Sequence, residues 1–107
     1  MAYKVLAQSA PSAATATNVY TVGSGVETVI STIIIANRAA AAGTFRLSVR
    51  PNGGTQTNAM YCAYDVPVAA NDSTTLTLGL TVDATDVITA YCSSADMSIN
   101  VFGTEIS

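Results

Sequence analysis

The chain offers few residues that can move protons. Its acids are Glu27, Asp65, Asp72, Asp83, Asp86, Asp96 and Glu105, and it has no histidine. General acid–base work usually needs His, or carboxylates in tuned environments. Most of these acids fall in turn-like stretches or at strand ends, where Asp bonds local backbone N–H groups. Glu27 lies inside a strand pattern and is expected on its outward face. Asp83 and Asp86 flank Thr85 and could contribute to a calcium site. Calcium takes about six to eight oxygens and this loop supplies few, so a plain turn is expected. Without a histidine base, a Ser or Cys triad fails. Cys62 and Cys92 are too far apart in sequence to define a zinc site. Buried, reduced thiols are expected, with a disulfide between neighbouring strands and, last, a reactive thiol as the alternatives. Gly23-Ser24-Gly25 and Gly53-Gly54 lack the flanking pattern of a phosphate-cradling loop. No catalytic, cofactor or metal site is therefore expected, and the chain is read as non-enzymatic.

The tyrosines Tyr3, Tyr20, Tyr61, Tyr64 and Tyr91 could form a sugar-stacking surface. In a sandwich they more often sit half-buried with a wet hydroxyl. The basic residues are Lys4, Arg38, Arg46 and Arg50, and the net charge is −3. A nucleic-acid partner needs a basic face that releases counterions. Arg46 and Arg50 share a strand face, but they make a weak patch, so no nucleic acid is expected. The longest apolar run, Val29 to Ala36, is interrupted by Ser31 and Thr32 and is too short to cross a bilayer as a helix. The opening Met1-Ala2-Tyr3-Lys4-Val5-Leu6 lacks the apolar core of a secretory signal. Synthesis in a cytoplasm, with no membrane partner, is the expectation.

These side chains must be carried by strands. Thr44 to Arg50 alternates strictly, with Phe45, Leu47 and Val49 on one face and Arg46, Ser48 and Arg50 on the other. Ser73 to Leu80 repeats the pattern, with Leu76, Leu78 and Leu80 inward. Met60, Cys62, Tyr64 and Val66 form a further inward set, which puts Cys62 on the core side. Val26 to Ala36 ends in the continuous run Ile33-Ile34-Ile35. Such a run suits burial on both faces, or one face in the core and the other against a partner. Asp86 to Cys92 and Met97 to Phe102 complete the later strands, and Val5-Leu6 and Val19 to Val22 are shorter ones at the start. Turn chemistry at Gly23-Ser24-Gly25, Pro51 to Gly54, Ala70 to Asp72 and Asp83 to Asp86 separates them. Pro11 to Ala16 and Ala36 to Ala42 read as loops, the second with room for one helical turn. The expected fold is all-β: one antiparallel β-sandwich over residues 1–107, jelly-roll or Ig-like, with about seven to eight strands. Residues 1–17 read either as an extended arm or as a surface loop.

Half of the residues are hydrophobic and only 10% are charged, against about 25% charged in ordinary soluble domains. Thr, Ser, Ala and Asn must supply much of the surface. Coverage by neighbouring subunits is one way to use such a skin.

The opening Met1 to Leu6, Val19-Tyr20-Thr21-Val22 leading into Val29 to Ile33, Asn37-Arg38 and Thr44-Phe45-Arg46-Leu47 together resemble small virion proteins of tailed bacteriophages. The stretches Ala69 to Asp72, Leu76 to Gly79 and Asn100-Val101-Phe102-Gly103 extend the resemblance over nearly the whole chain. Gly23 departs from it, standing where a proline is common. The resemblance implies a β-sandwich used as an assembly piece, with no cofactor. It implies a capsid decoration (cement) protein in the virion. The partners would then be the major capsid protein and copies of the chain itself, in a homo-oligomer such as a trimer. A tail, neck or baseplate component and a glycan-binding module for a host surface are the alternatives. On that reading, subunit contacts are expected from Ile33, Ile34, Ile35, Arg38 and Tyr3, from the Ala36 to Thr44 loop and from the N-terminal arm.

Overall fold

The structure, a computed structural model, describes residues 3–77 and 79–107. It is all-β, with nine strands: β1 (Lys4–Ser9), β2 (Thr17–Thr21), β3 (Glu27–Asn37), β4 (Gly43–Arg50), β5 (Tyr61–Val68), β6 (Ser73–Leu76), β7 (Leu80–Val82), β8 (Val87–Cys92) and β9 (Met97–Ile106). They form two antiparallel sheets. One is five-stranded, in the order β1-β9-β3 with both β6 and β7 beyond β3; the other is four-stranded, in the order β2-β8-β4-β5. The expected continuous strand from Ser73 to Leu80 is therefore split, with β6 and β7 pairing with successive parts of β3. Gly79, at φ 60°, lies in the interruption. Leu78, expected to point inward, lies outside the described residues.

Counting β6 and β7 as one broken strand, the pairs nest. The fourth strand pairs with the fifth, the third with the sixth, the second with the seventh and the first with the last. This is one long hairpin rolled so that its arms fall alternately in the two sheets. It is the jelly-roll order, and it resolves the choice against an Ig-like order.

The strands form where the alternation places one apolar face. Ile30, Ile33 and Ile35 of β3, Phe45 and Leu47 of β4, Ile88, Ala90 and Cys92 of β8, and Met97, Ile99 and Val101 of β9 are all at most 1% exposed. They meet between the sheets in one apolar core. Each fully buried Ile or Leu contributes about 1.5–3 kcal/mol of transfer free energy. Alternation alone would put Ile30 and Ile33 on opposite faces. A bulge between Ile30 and Thr32, where β3 meets β9, inserts Ser31 and restores both to the core. Gly103 faces this point. A Cβ there would collide with the backbone of Val29 and Ile30, so the close approach of β9 to β3 needs glycine.

Loops are tied down by their own polar groups. The buried Asn37 side chain donates from Nδ2 to the carbonyls of Ala41 (2.9 Å), Val68 and Ala69, and its Oδ1 accepts from the Ala39 N–H. That knot fixes the turn from β3 to β4 without a helical turn. At the start of the chain, residues 4–9 are not an arm. They form β1 at the edge of the five-stranded sheet. The following crossover to β2 is pinned by the buried Pro11 and by the Ala14 N–H donating to the Cys92 carbonyl at 2.8 Å.

Candidate functional site

The sandwich is thin, with principal extents of 41 × 30 × 19 Å, so it offers two broad sheet faces. Among the described residues no group of three or more Cys, Asp or Glu side chains could hold a metal ion. The Asp83 to Asp86 loop is occupied by its own backbone. Asp86 accepts from the Asn52 and Asp83 N–H groups, and Asp83 accepts from Ala84. Glu27 is exposed at the start of β3.

The outer face of the five-stranded sheet is built in rows by the strand register. Val5, Phe102 and Thr32 make one row across β1, β9 and β3. Gln8, Asn100, Ile34 and Thr75 make the next, and Ser98, Ala36 and Ser73 another. Val5 is 50% exposed, whereas Phe102 and Ile34 are half-buried. Along β3 this face carries charge only at its ends: Glu27 opens the strand and Arg38 follows its last residue. Between them the described side chains are Thr, Ser, Asn, Gln and apolar groups.

The expected contact residues separate on this geometry. Ile33 and Ile35 are 0% exposed and belong to the core, so neither can present a face to a neighbour. Alternation turns Ile34 outward instead. Arg38 is exposed at the margin, donating from Nε to Ser98 Oγ at 2.8 Å and from Nη2 to the Ala95 carbonyl. Tyr3, 75% exposed, stands just before β1. The register puts Tyr3 at the Glu27 end of β3 and the Arg38 to Ala42 turn at the opposite end, so these expected contacts do not share one patch.

The outer face of the four-stranded sheet is different in kind. Arg46 on β4 lies directly across from Tyr91 on β8. Its guanidinium lies 4.2 Å from the Tyr64 ring centre and 4.5 Å from that of Tyr91. It is forked onto Asp65, with Nε 2.7 Å from Oδ1 and Nη2 3.4 Å from Oδ2. The Asp65 carboxylate beside it raises the Arg46 pKa further above its ordinary value. Tyr61 meets Tyr64 edge to face, with ring centres 4.9 Å apart. Beside them is a cleft of about 30 Å³ lined in part by Tyr61, Tyr91, Ser48, Gln56 and Thr89. Arg50 shares the face, as expected. It is spent on Asn18, Thr89 and the carbonyls of Gly53 and Gly54.

The tyrosine cluster depends on two further irregularities. The β4–β5 register slips between Leu47 and Ser48, opposite residues 61–63, and again between Phe45 and Leu47, where Asp65 has φ 50°, a conformation that Asp tolerates better than most residues. The first slip lets Tyr61 and Tyr64, three residues apart, share a face; between the slips Ala63 packs inward, and beyond them Val66 and Val68 do. The expected inward set Met60, Cys62, Tyr64 and Val66 is thereby broken. Tyr64 is 56% exposed and Cys62 is exposed, so Cys62 is not a core thiol. Cys92 is buried, as expected, and both are free thiols. Burial pushes the Cys92 pKa up to about 11, and partial burial raises that of Cys62.

Cys62 opens onto a third feature, an apolar groove between the unpaired edges of β5 and β7. Met60, Leu80, Val82 and Val49 also line it, and its volume is about 480 Å³. No family model matches the chain, and no curated protein or solved structure matches it either.

Proposed function

We propose that the chain is a non-enzymatic structural protein of a bacteriophage particle, decorating the shell and stabilising it through subunit contacts. The observation that carries this reading is the outer face of the five-stranded sheet, uncharged along β3 between its ends, with Ile34 and Phe102 on its inner strands and Val5 on the edge strand beside them. A broad face without charge adds contact area without repulsion among close-packed copies, and interface centres are depleted of charge. Jelly rolls recur in viral capsids and in lectin domains. The fold agrees with the reading and does not choose it. A ligand that binds only the assembled shell favours that state by mass action.

The copy number of the chain in purified particles, measured by quantitative mass spectrometry against the major shell protein, tests this. Near-equal amounts are expected. A small fraction would move the chain to the tail or neck, and absence would sink the particle assignment. Ile34→Lys should then reduce incorporation at least tenfold while leaving the thermal unfolding of the isolated protein close to wild type, because Ile34 points away from the core.

A further inference from the structure

The outer face of the four-stranded sheet differs in chemistry from the face proposed for subunit contacts. We propose that it binds a neutral pyranose ring of an oligosaccharide, stacked on Tyr64 with one hydroxyl lodged in the cleft beside Tyr61 and Tyr91. The argument rests on convergence. Three tyrosines reach one spot from two strands, β5 and β8, across the Arg46 of β4 between them. Tyr64 is 56% exposed although it is already held by Arg46 on one side and by the Tyr61 ring on another. A ring held in this way loses little freedom when a ligand covers it, and tyrosine has few torsions to fix in any case.

The neighbouring groups suit a polyol. The cleft, at about 30 Å³, exceeds the roughly 10–15 Å³ that a single water needs, and so admits one hydroxyl group. Its walls include Ser48, Gln56 and Thr89, and Ser48 Oγ already donates to Gln56 Oε1 at 2.7 Å. The Gln56 amide and the tyrosine hydroxyls supply both donors and acceptors, as vicinal hydroxyls require. Asp65 cancels the charge of Arg46 at 2.7 Å, so the platform as a whole is neutral. That selects against phosphate- or carboxylate-bearing ligands, which the chain's net charge of −3 also disfavours.

Saturation-transfer NMR on the intact protein, with maltohexaose, cellohexaose and chitohexaose as probes, decides this. Transfer to pyranose protons is expected from at least one of the three. Tyr64→Ala should weaken that affinity by about tenfold, the worth of one aromatic contact. Tyr3→Ala, which removes an exposed tyrosine far from the cleft residues in sequence and on the other sheet's edge, should leave it unchanged. Tyr64 is exposed, so its truncation should keep the fold, and an unchanged unfolding temperature verifies this. Tyr91→Phe, which keeps the ring, should weaken binding less than Tyr64→Ala. Absence of transfer from all three sugars overturns the proposal. So does equal binding by Tyr64→Ala, or stronger transfer to oligothymidylate than to any sugar.

Discussion

The Tyr20 hydroxyl, on β2 of the four-stranded sheet, donates to Glu105 Oε2 of β9 in the other sheet at 2.6 Å. The two sheets of this sandwich are thus joined at one end by a polar tie as well as by the apolar core. The same hydroxyl meets the buried Thr28 Oγ1 at 2.9 Å, and Glu105 also receives Lys4 Nζ at 2.7 Å. Four residues from β1, β2, β3 and β9 therefore share one short chain of hydrogen bonds.

That chain makes stability depend on pH at both extremes. The Lys4 ammonium, and then the Tyr20 hydroxyl, hold the Glu105 pKa below its ordinary value. Its contribution is complete above the unfolded carboxylate pKa and is lost as pH falls through the lower folded value. Burial, and then the bond to Glu105, raise the Tyr20 pKa above its ordinary value. Its contribution is complete below the unfolded phenol pKa and is lost as pH rises toward the folded one. Thermal unfolding followed from acid to alkaline pH should show both losses. Tyr20→Phe should remove the phenol's alkaline loss, reduce the acid loss and cost about 1–3 kcal/mol at neutral pH, since Thr28 is left without its partner. A Phe variant with wild-type stability and an unchanged profile would contradict the tie.

Gly103→Ala should be among the more damaging single-methyl additions to the chain. The added carbon meets backbone at Val29 and Ile30, which cannot rotate away as a side chain can. Overpacking of this kind costs about 1–3 kcal/mol, and more where backbone must move. Gly25→Ala has open space around the new carbon and suffers only from φ 73°. Denaturant midpoints of the two variants should rank accordingly, with Gly103→Ala the less stable. The reverse order would mean that β9 and β3 are not held as close as the Ser31 bulge requires.

The two thiols should separate cleanly in a labelling experiment. In native protein one equivalent of a disulfide reagent such as DTNB should react, at Cys62, and the second only on unfolding. The raised pKa of Cys62 makes even that reaction slower than for a free thiol at neutral pH, and faster as pH rises. Peptide mapping of the labelled protein checks the site. Labelling of Cys92 in the native state would place a fluctuation in the middle of the four-stranded sheet.

The same two cysteines show what could be read from the residues in order. Strict alternation in Phe45, Leu47 and Val49 named the inner face of β4 correctly, because β4 keeps its pleat through that stretch. It failed at Cys62 and Tyr64, because two register slips, one opposite residues 61–63 and one at Asp65, reset the alternation within β5, which is also an edge strand. A bulge leaves little mark on hydrophobic patterning, since an extra Ser or Asp looks like any outward residue. The Ile33 to Ile35 run was recognised as a strand with a core face. Which of the three would point outward depended on the bulge at Ser31. The tyrosine and arginine cluster was beyond local reading altogether. Tyr61, Tyr64 and Tyr91 become neighbours only through the pairing of β5 and β8 with β4, and strand order is not written in any one strand.

The nesting of the strand pairs bears on how the protein is made. β9, synthesised after the other eight strands, is an inner strand of its sheet, between β1 and β3. Until it arrives, β1 has no partner in the sheet, and the edge of β3 that carries Ile33 and Ile35 stays open. The inner hairpin of β4 and β5 can zip during synthesis, but the five-stranded sheet must wait for β9. Folding is therefore expected as a late, all-or-none event. A chain stopped before Met97 should be an aggregation-prone fragment, not a smaller version of the same sandwich.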